Sequence, residues 1–157
     1  MNNVNIVFTR VDNRLVHGQV GNVWVTASGA NLILVVDDEV SKDPIQQALM
    51  KMTADAVGVQ IRFFSIQKTI DIIGKAAPSQ KIFIVAKTPF VIEELVKNGV
   101  PVTSCNIGNM HMSEGKKVFH EVHVYADEND IACFERLKED GLEVYIQITP
   151  TDRRHNL

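Results

Sequence analysis

The feature that most constrains the fold of this chain is a set of short, nearly uninterrupted apolar runs. Residues 32–36 (L-I-L-V-V) and 82–85 (I-F-I-V) contain only aliphatic and aromatic side chains. A strand with apolar side chains on both faces needs cover on both faces, which is typical of a parallel sheet packed between helices. These runs therefore predict the central strands of a buried parallel sheet.

Strand and helix signals alternate along the rest of the chain. The predicted strands cover residues 4–8, 31–36, 57–63, 81–86, 102–106, 121–124 and 143–148. The predicted helices cover residues 19–27, 42–52, 65–73, 89–98 and 127–139. This order predicts one α/β domain over residues 1–157, with an open, mostly parallel twisted sheet and helices on both faces.

The second predicted helix has an apolar stripe. Ile45, Leu49 and Met52 recur at helical spacing, which is typical of an amphipathic helix that packs on a core. We therefore expect these three side chains to face the sheet.

Composition excludes several classes of protein. The chain has 16 Lys and Arg against 19 Asp and Glu, a net charge of -3, and its basic residues are scattered. This balance argues against a nucleic-acid partner and against a polybasic membrane anchor. We expect a cytoplasmic protein, because there is no basic leader, extended apolar segment or bilayer-spanning run. Cys105 and Cys133 fit free thiols in a reducing compartment, with a disulfide as the alternative.

Arginine, aspartate and histidine are concentrated in residues 10–20, R-V-D-N-R-L-V-H-G-Q-V, between the first predicted strand and the first predicted helix. In open α/β sheets, ligands bind beyond the carboxyl ends of the strands, where the strand order reverses. If the first strand is central, this segment lies at the binding edge of the sheet.

The residue types in this segment suit phosphoryl transfer. The imidazole of His17 is a competent nucleophile toward a phosphoryl group. Arg10 and Arg14 each carry a planar fork of donors for the phosphoryl oxygens, and Asp12 can orient an arginine or fix the tautomer of His17. Gly18 lets the backbone approach the group, and the following helix start adds N–H donors. This arrangement requires no metal and no cofactor. The alternative is an ordinary loop with an Asp–Arg ion pair and a solvent-facing histidine.

Two further candidates follow the fourth predicted strand. If that strand lies beside the first, Lys87 and Thr88 face the His17 segment across the crevice. Thr88 can then donate to the phosphoryl oxygens and Lys87 can add positive charge. The alternatives are that Thr88 only caps its helix and that Lys87 is solvated.

Residues 10–20 resemble the signature of the IIB components of the mannose/fructose/sorbose family of the phosphoenolpyruvate-dependent sugar phosphotransferase system. The similarity continues over nearly the whole chain. Supporting stretches are residues 36–40, 87–89, 99–102, 106–110 and 127–131. The chain departs from the usual pattern at Asn13, where an acidic residue is more common, and at Val11, where isoleucine is common.

The resemblance implies a specific function. In that family the histidine at the position of His17 accepts a phosphoryl group on Nδ1 from a phosphohistidine of the IIA domain. The group then passes to a sugar as it crosses the IIC and IID permease components, so the chain would be a protein-Npi-phosphohistidine–sugar phosphotransferase. The carrier would be cytoplasmic and would associate transiently with the membrane through the permease. A homodimer is also compatible with this family.

The sugar is less constrained than the family. Residues 107–111 and 43–47 resemble the N-acetylgalactosamine and galactosamine branch most, with mannose, fructose or sorbose as alternatives. Two other functions stay open: a regulatory phosphocarrier that passes no group to a sugar, and a small-anion-binding protein in which His17 is dispensable. Nucleotide binding has no support, because the chain has no Walker loop and no dinucleotide fingerprint.

Overall fold

The computed structural model describes residues 3–157, apart from the side chains of Gln19 and Val20. The strands are β1 Asn5–Asp12, β2 Leu32–Val36, β3 Gln60–Phe64, β4 Lys81–Ala86, β5 Ser104–Asn109, β6 Lys117–Phe119, β7 Glu121–Ala126, β8 Glu143–Ile146 and β9 His155–Asn156. The α-helices are α1 Gly18–Ser28, α2 Pro44–Ala56, α3 Ile66–Ile72, α4 Pro89–Lys97 and α5 Glu128–Glu139.

Seven strands form the main sheet, in the order β3-β2-β4-β1-β5-β8-β9. All neighbouring pairs are parallel except β8 with β9. Helices α1 and α2 pack on one face of the sheet, and α3, α4 and α5 pack on the other. The predicted open, mostly parallel sheet with helices on both faces is therefore confirmed, as is the placement of the first strand beside the fourth.

The chain changes direction across the sheet at β1 and β4. From β1 the chain moves to β2 and β3 on one side, and from β4 it crosses over to β5 and β8 on the other. The carboxyl ends of β1 and β4 therefore form the topological switch point, where open α/β proteins bind ligands.

Strand β1 extends to Asp12, past the predicted end at Phe8. Its last residues pair with both neighbouring strands, with Val11 opposite Ala86 on β4 and Asp12 opposite Asn109 on β5. Polar side chains interrupt the apolar pattern here, although they are as buried as the core. Because these polar groups satisfy one another, the strand continues where hydrophobicity predicted a loop.

The face of α2 that packs on the sheet is not the predicted one. Ile45, Leu49 and Met52 are 76%, 62% and 69% exposed, whereas Met50 and Ala54 are buried against the sheet. The helix is therefore rotated so that the predicted stripe faces solvent. Met50 and Ala54, four residues apart on α2, belong to the same apolar cluster as Val35 and Phe83 of the sheet.

The C-terminal part of the chain contains two short strands that the sequence did not predict. The predicted strand at residues 121–124 is part of β7, which pairs antiparallel with β6 in a separate two-stranded sheet. Strands β6 and β9 were not predicted, because three residues and two residues are too short to show a periodic pattern.

Cys105 and Cys133 are both free and buried, so the disulfide alternative is wrong. Burial raises the pKa of the Cys133 thiol to about 12, which keeps it protonated at neutral pH. In residues 3–157, none of the helices has the length and apolar character needed to cross a membrane.

Candidate functional site

The candidate site lies at the carboxyl end of β1, in the turn that leads into α1. The backbone N–H of Leu15 donates to the carbonyl of Asp12 at 2.9 Å, which closes a tight turn. Leu15 adopts a left-handed conformation with φ 59°, although its side chain is buried. Left-handed backbone at a bulky residue is strained, and such strain is concentrated at functional sites. The turn brings Asp12, Arg14 and His17 to one place.

Asp12 is the centre of this cluster. Its carboxylate is 1% exposed and accepts from three side chains. Oδ2 lies 3.3 Å from Nη2 of Arg10, 3.4 Å from Nη2 of Arg14 and 3.2 Å from Nε2 of His17. Oδ1 accepts from the backbone N–H of Arg14 at 3.0 Å and from its Nε at 3.2 Å. A single buried carboxylate thus joins both arginines and the histidine.

These contacts determine the tautomer of His17. Burial alone would raise the pKa of Asp12, but the hydrogen bond from His17 and the charge of Arg10 outweigh it and hold that pKa below its ordinary value. Asp12 is therefore ionised at neutral pH and can only accept. Because Nε2 of His17 faces this acceptor, Nε2 carries the proton in the neutral ring, and Nδ1 carries the lone pair.

The ring that carries this lone pair belongs to a partly exposed residue. The residue is the N-cap of α1, has an extended backbone, and its side chain is 25% exposed. Nδ1 has no hydrogen-bond partner among the side chains described in this structure. Gly18 follows with φ 39° and is exposed. It is the first residue of α1, where the backbone N–H groups of a helix have no partner within the helix. An anionic group bound at the start of α1 can accept from these donors.

Arg10 occupies a different place from the one expected. Its side chain is 2% exposed, and its guanidinium donates to Asn106 at 2.7 Å and to the carbonyl of Gln147 at 3.2 Å, besides its contact with Asp12. Burial lowers the pKa of Arg10 to about 10, so the group still carries its charge at pH 7. Because these internal partners use its donors, Arg10 supports Asp12 from beneath instead of facing a ligand.

Arg14 is the arginine that faces solvent. Its side chain is 43% exposed, and Asp12 orients it through Nε and Nη2. The remaining donors of the guanidinium are directed away from the carboxylate. The expected pair of ligand-facing arginines is therefore reduced to one.

Lys87 and Thr88 follow β4, the strand beside β1. Val11 is opposite Ala86, so Thr88 follows β4 at the same edge as the histidine turn. Thr88 is exposed and is the N-cap of α4, but its side chain makes no capping hydrogen bond. The amino group of Lys87 lies 3.6 Å from Asp37 and 4.0 Å from Glu39, so neither of the alternatives, a capping threonine and a solvated lysine, describes the contacts.

Three asparagines have roles at the site that the sequence did not reveal. Asn13 accepts a hydrogen bond from Asn109, and its backbone N–H donates to the carbonyl of Asn109 at 3.1 Å. This contact gives Asn13 a structural role in attaching the turn to β5. Asn106 is fully buried beside Arg10. The available signal was the alternation of polar residues in C-N-I-G-N, which is unusual for a central strand covered on both faces.

The fold and the site together define a class of protein: an open α/β protein in which a buried carboxylate contacts a partly exposed histidine at the switch point of the sheet. Residues 6–157 match the family described as PTS system sorbose subfamily IIB component. The chain belongs to this family of IIB components of the sugar phosphotransferase system, as the resemblance predicted.

Relatives in this family cover the whole chain. The chain is 50% identical to the N-acetylgalactosamine-specific phosphotransferase enzyme IIB component 1 of Escherichia coli (strain K12), over 100% of this chain and 99% of that protein. The crystal structure of the same Escherichia coli component has a TM-score of 0.94 and covers 98% of this chain and 99% of that chain. The mannose-specific EIIAB component of Escherichia coli (strain K12) is 32% identical over 94% of this chain, which spans 45% of that protein.

Proposed function

We propose that this chain accepts a phosphoryl group on Nδ1 of His17 and passes it to a sugar. The observation that carries the proposal is the contact between Nε2 of His17 and the buried, ionised carboxylate of Asp12. This contact leaves the lone pair on Nδ1, in a side chain that is 25% exposed. It supports the same nitrogen that the family resemblance implies.

The proposed transfer uses the residues in defined roles. The lone pair of Nδ1 forms a bond to phosphorus while the bond between phosphorus and the donor histidine breaks, and the donor imidazole leaves with the electron pair of that bond. Asp12 compensates the positive charge that develops on the ring of His17. Arg14 and the backbone donors at Gly18 bind the equatorial oxygens, and Thr88 adds a hydroxyl donor from the neighbouring loop.

The proposed donor is a phosphohistidine of a IIA protein. The mannose-specific relative is named as an EIIAB component, which supports a IIA partner for a IIB chain of this family. The proposed acceptor is a sugar carried by the IIC and IID permease components. The carrier would then be cytoplasmic and would contact the membrane through the permease. A homodimer stays a prediction.

The proposed sugar is N-acetylgalactosamine or galactosamine. The support is the 50% identity to an N-acetylgalactosamine-specific component, against 32% identity to a mannose-specific one. In this proposal the permease carries the sugar, so a direct transport assay with several sugars decides between them.

The test is phosphoryl transfer from labelled phosphoenolpyruvate through the general phosphotransferase proteins and a IIA of this family. We expect acid-labile, base-stable label on the wild type and on His123→Ala, a control at an exposed histidine, and none on His17→Ala. Label on His17→Ala would contradict the site. Adding permease vesicles and one sugar at a time should then discharge the label, with N-acetylgalactosamine or galactosamine most effective. Retention of the label with every sugar would favour the regulatory alternative.

A further inference from the structure

The guanidinium of Arg10 lies in a slot on one face of β5. Gly108 forms the floor of this slot: a Cβ at that position would overlap Cζ and both terminal nitrogens of Arg10. The overlap involves the planar group itself, which its other contacts hold in place. A side chain at position 108 and the present position of Arg10 therefore exclude each other.

Asn106 forms the wall of the same slot. Asn106 and Gly108 both adjoin the guanidinium of Arg10, so they lie on the same side of β5. Its side chain is 0% exposed, and its Oδ1 accepts from Nη1 of Arg10 at 2.7 Å. Its Nδ2 donates to the carbonyl of Gln147 at 3.1 Å, the same carbonyl that accepts from Arg10 at 3.2 Å. The amide thus connects the guanidinium to the backbone that follows β8.

The core alone does not explain these two residues. Cys105 and Ile107 alternate with them on β5 and are fully buried in the apolar cluster on the opposite side of the sheet. A polar amide and a missing side chain give up apolar burial at the centre of a sheet. Asn106 nevertheless accepts a hydrogen bond from Arg10, and Gly108 leaves room for its guanidinium.

We propose that Asn106 and Gly108 are positioning residues for the phosphoryl acceptor, a proposal that rests on the proposed function. They hold the guanidinium of Arg10 against Asp12, and Asp12 in turn holds Nε2–H of His17. Neither residue reaches the surface where the phosphoryl group would bind. Their effect on transfer passes entirely through the carboxylate.

The experiment compares Asn106→Leu and Gly108→Ala, which disturb Arg10 independently, so that one variant remains informative if the other fails to fold. The first readout is the ring ¹⁵N NMR spectrum of His17, which reports the tautomer without any partner protein. We expect the wild type to show the Nε2–H tautomer and both variants to show a mixture. The second readout is phosphoryl acceptance from phospho-IIA, for which we expect kcat to fall about tenfold, the effect of one lost charge-assisted hydrogen bond, at an unchanged KM.

Two controls separate positioning from a general loss of stability. Cys105→Ala removes a buried side chain from the other face of the same strand and should leave the His17 spectrum and kcat as in the wild type. In an Arg10→Ala background, Gly108→Ala should cause no further loss of kcat, because its effect depends on the guanidinium.

The proposal is overturned if either folded variant keeps both the wild-type spectrum and the wild-type kcat, or if Gly108→Ala lowers kcat equally with and without Arg10. Failure of the proposed function has a different signature. The wild type itself would then take up no phosphoryl group, while the spectrum of His17 would still show whether the two residues hold the ring.

Discussion

Nε2 of His17 lies 3.2 Å from Oδ2 of Asp12, and the carboxylate that it contacts is 1% exposed. Because the same oxygen also faces the buried guanidinium of Arg10, the acceptor histidine is coupled to the interior of the sheet. The ring is therefore oriented before any partner arrives, which is the main contribution that a protein makes to phosphoryl transfer.

Asp12→Asn should destabilise the protein and alter its dependence on pH. The change leaves the buried Arg10 without its counter-charge, for which we expect a loss of about 3 kcal/mol in the free energy of unfolding at pH 7. The pKa of Asp12 is lowered in the folded state, so its contribution is present above the unfolded pKa and is lost as the pH falls through the folded pKa.

Urea unfolding at pH 7 and near pH 3 measures this effect. The difference between wild type and Asp12→Asn should shrink at the lower pH, which is below the ordinary carboxyl pKa of 3.8, because the unfolded wild type then takes up a proton more readily than the folded protein. Asp55→Asn, in an ion pair with Lys51 that is about 60% exposed on both sides, is the matched control and should change the free energy of unfolding by about 0.5 kcal/mol or less. Equal losses for Asp12→Asn at both pH values would contradict the role of the charge.

Arg14→Lys should slow phosphoryl acceptance without changing stability. The lysine keeps the charge but loses the planar fork, and we expect the rate to fall about tenfold, equivalent to one charge-assisted hydrogen bond. Because Arg14 is 43% exposed, the free energy of unfolding should stay within about 0.5 kcal/mol of the wild type. A quenched time course measures the rate of phosphoryl acceptance. Arg62→Lys, on β3 at the edge of the sheet, is the control. A normal rate for Arg14→Lys would remove this arginine from the oxygen-binding role.

Thr88→Ala should change the lifetime of phosphohistidine and leave the stability of α4 nearly intact. Its hydroxyl makes no capping bond, so the usual loss of about 1 kcal/mol for a removed N-cap is not expected. Ser65→Ala provides the contrast, because Ser65 does accept from the backbone N–H of Lys68 at 3.0 Å and should show that loss. Thr88→Ser should behave as the wild type. An unchanged lifetime and transfer rate in Thr88→Ala would exclude the hydroxyl from the site.

The hydrophobic pattern predicted the architecture of this protein well, because β2 and β4 are covered on both faces and residues 32–36 and 82–86 are unbroken apolar runs. The same reasoning ended β1 too early, at the residues that matter most for function. Arg10 and Asp12 look like loop residues in the sequence, although they are among the most buried side chains of the sheet. Hydropathy cannot detect a buried charge whose partners lie far away along the chain.

The roles within the site show the same limit. The sequence brought His17, Arg14 and Asp12 together correctly, because they are neighbours in one short segment. It treated the two arginines as equivalent, since nothing local distinguishes a buried guanidinium from an exposed one. The distinction comes from Asn106, 96 residues away along the chain, whose contact with Arg10 depends on the pairing of β1 with β5.

The orientation of α2 gives a prediction that separates the sequence pattern from the fold. Met50 is 7% exposed and Leu49 is 62% exposed, although the apolar stripe of the sequence includes Leu49 and omits Met50. We expect Met50→Ala to lower the free energy of unfolding by about 2–5 kcal/mol and Leu49→Ala by about 0.5 kcal/mol or less. Urea unfolding at low protein concentration measures both. A larger loss for Leu49→Ala would mean that the helix is turned by about 100°, the angle between successive residues, and that the apolar stripe faces the sheet after all.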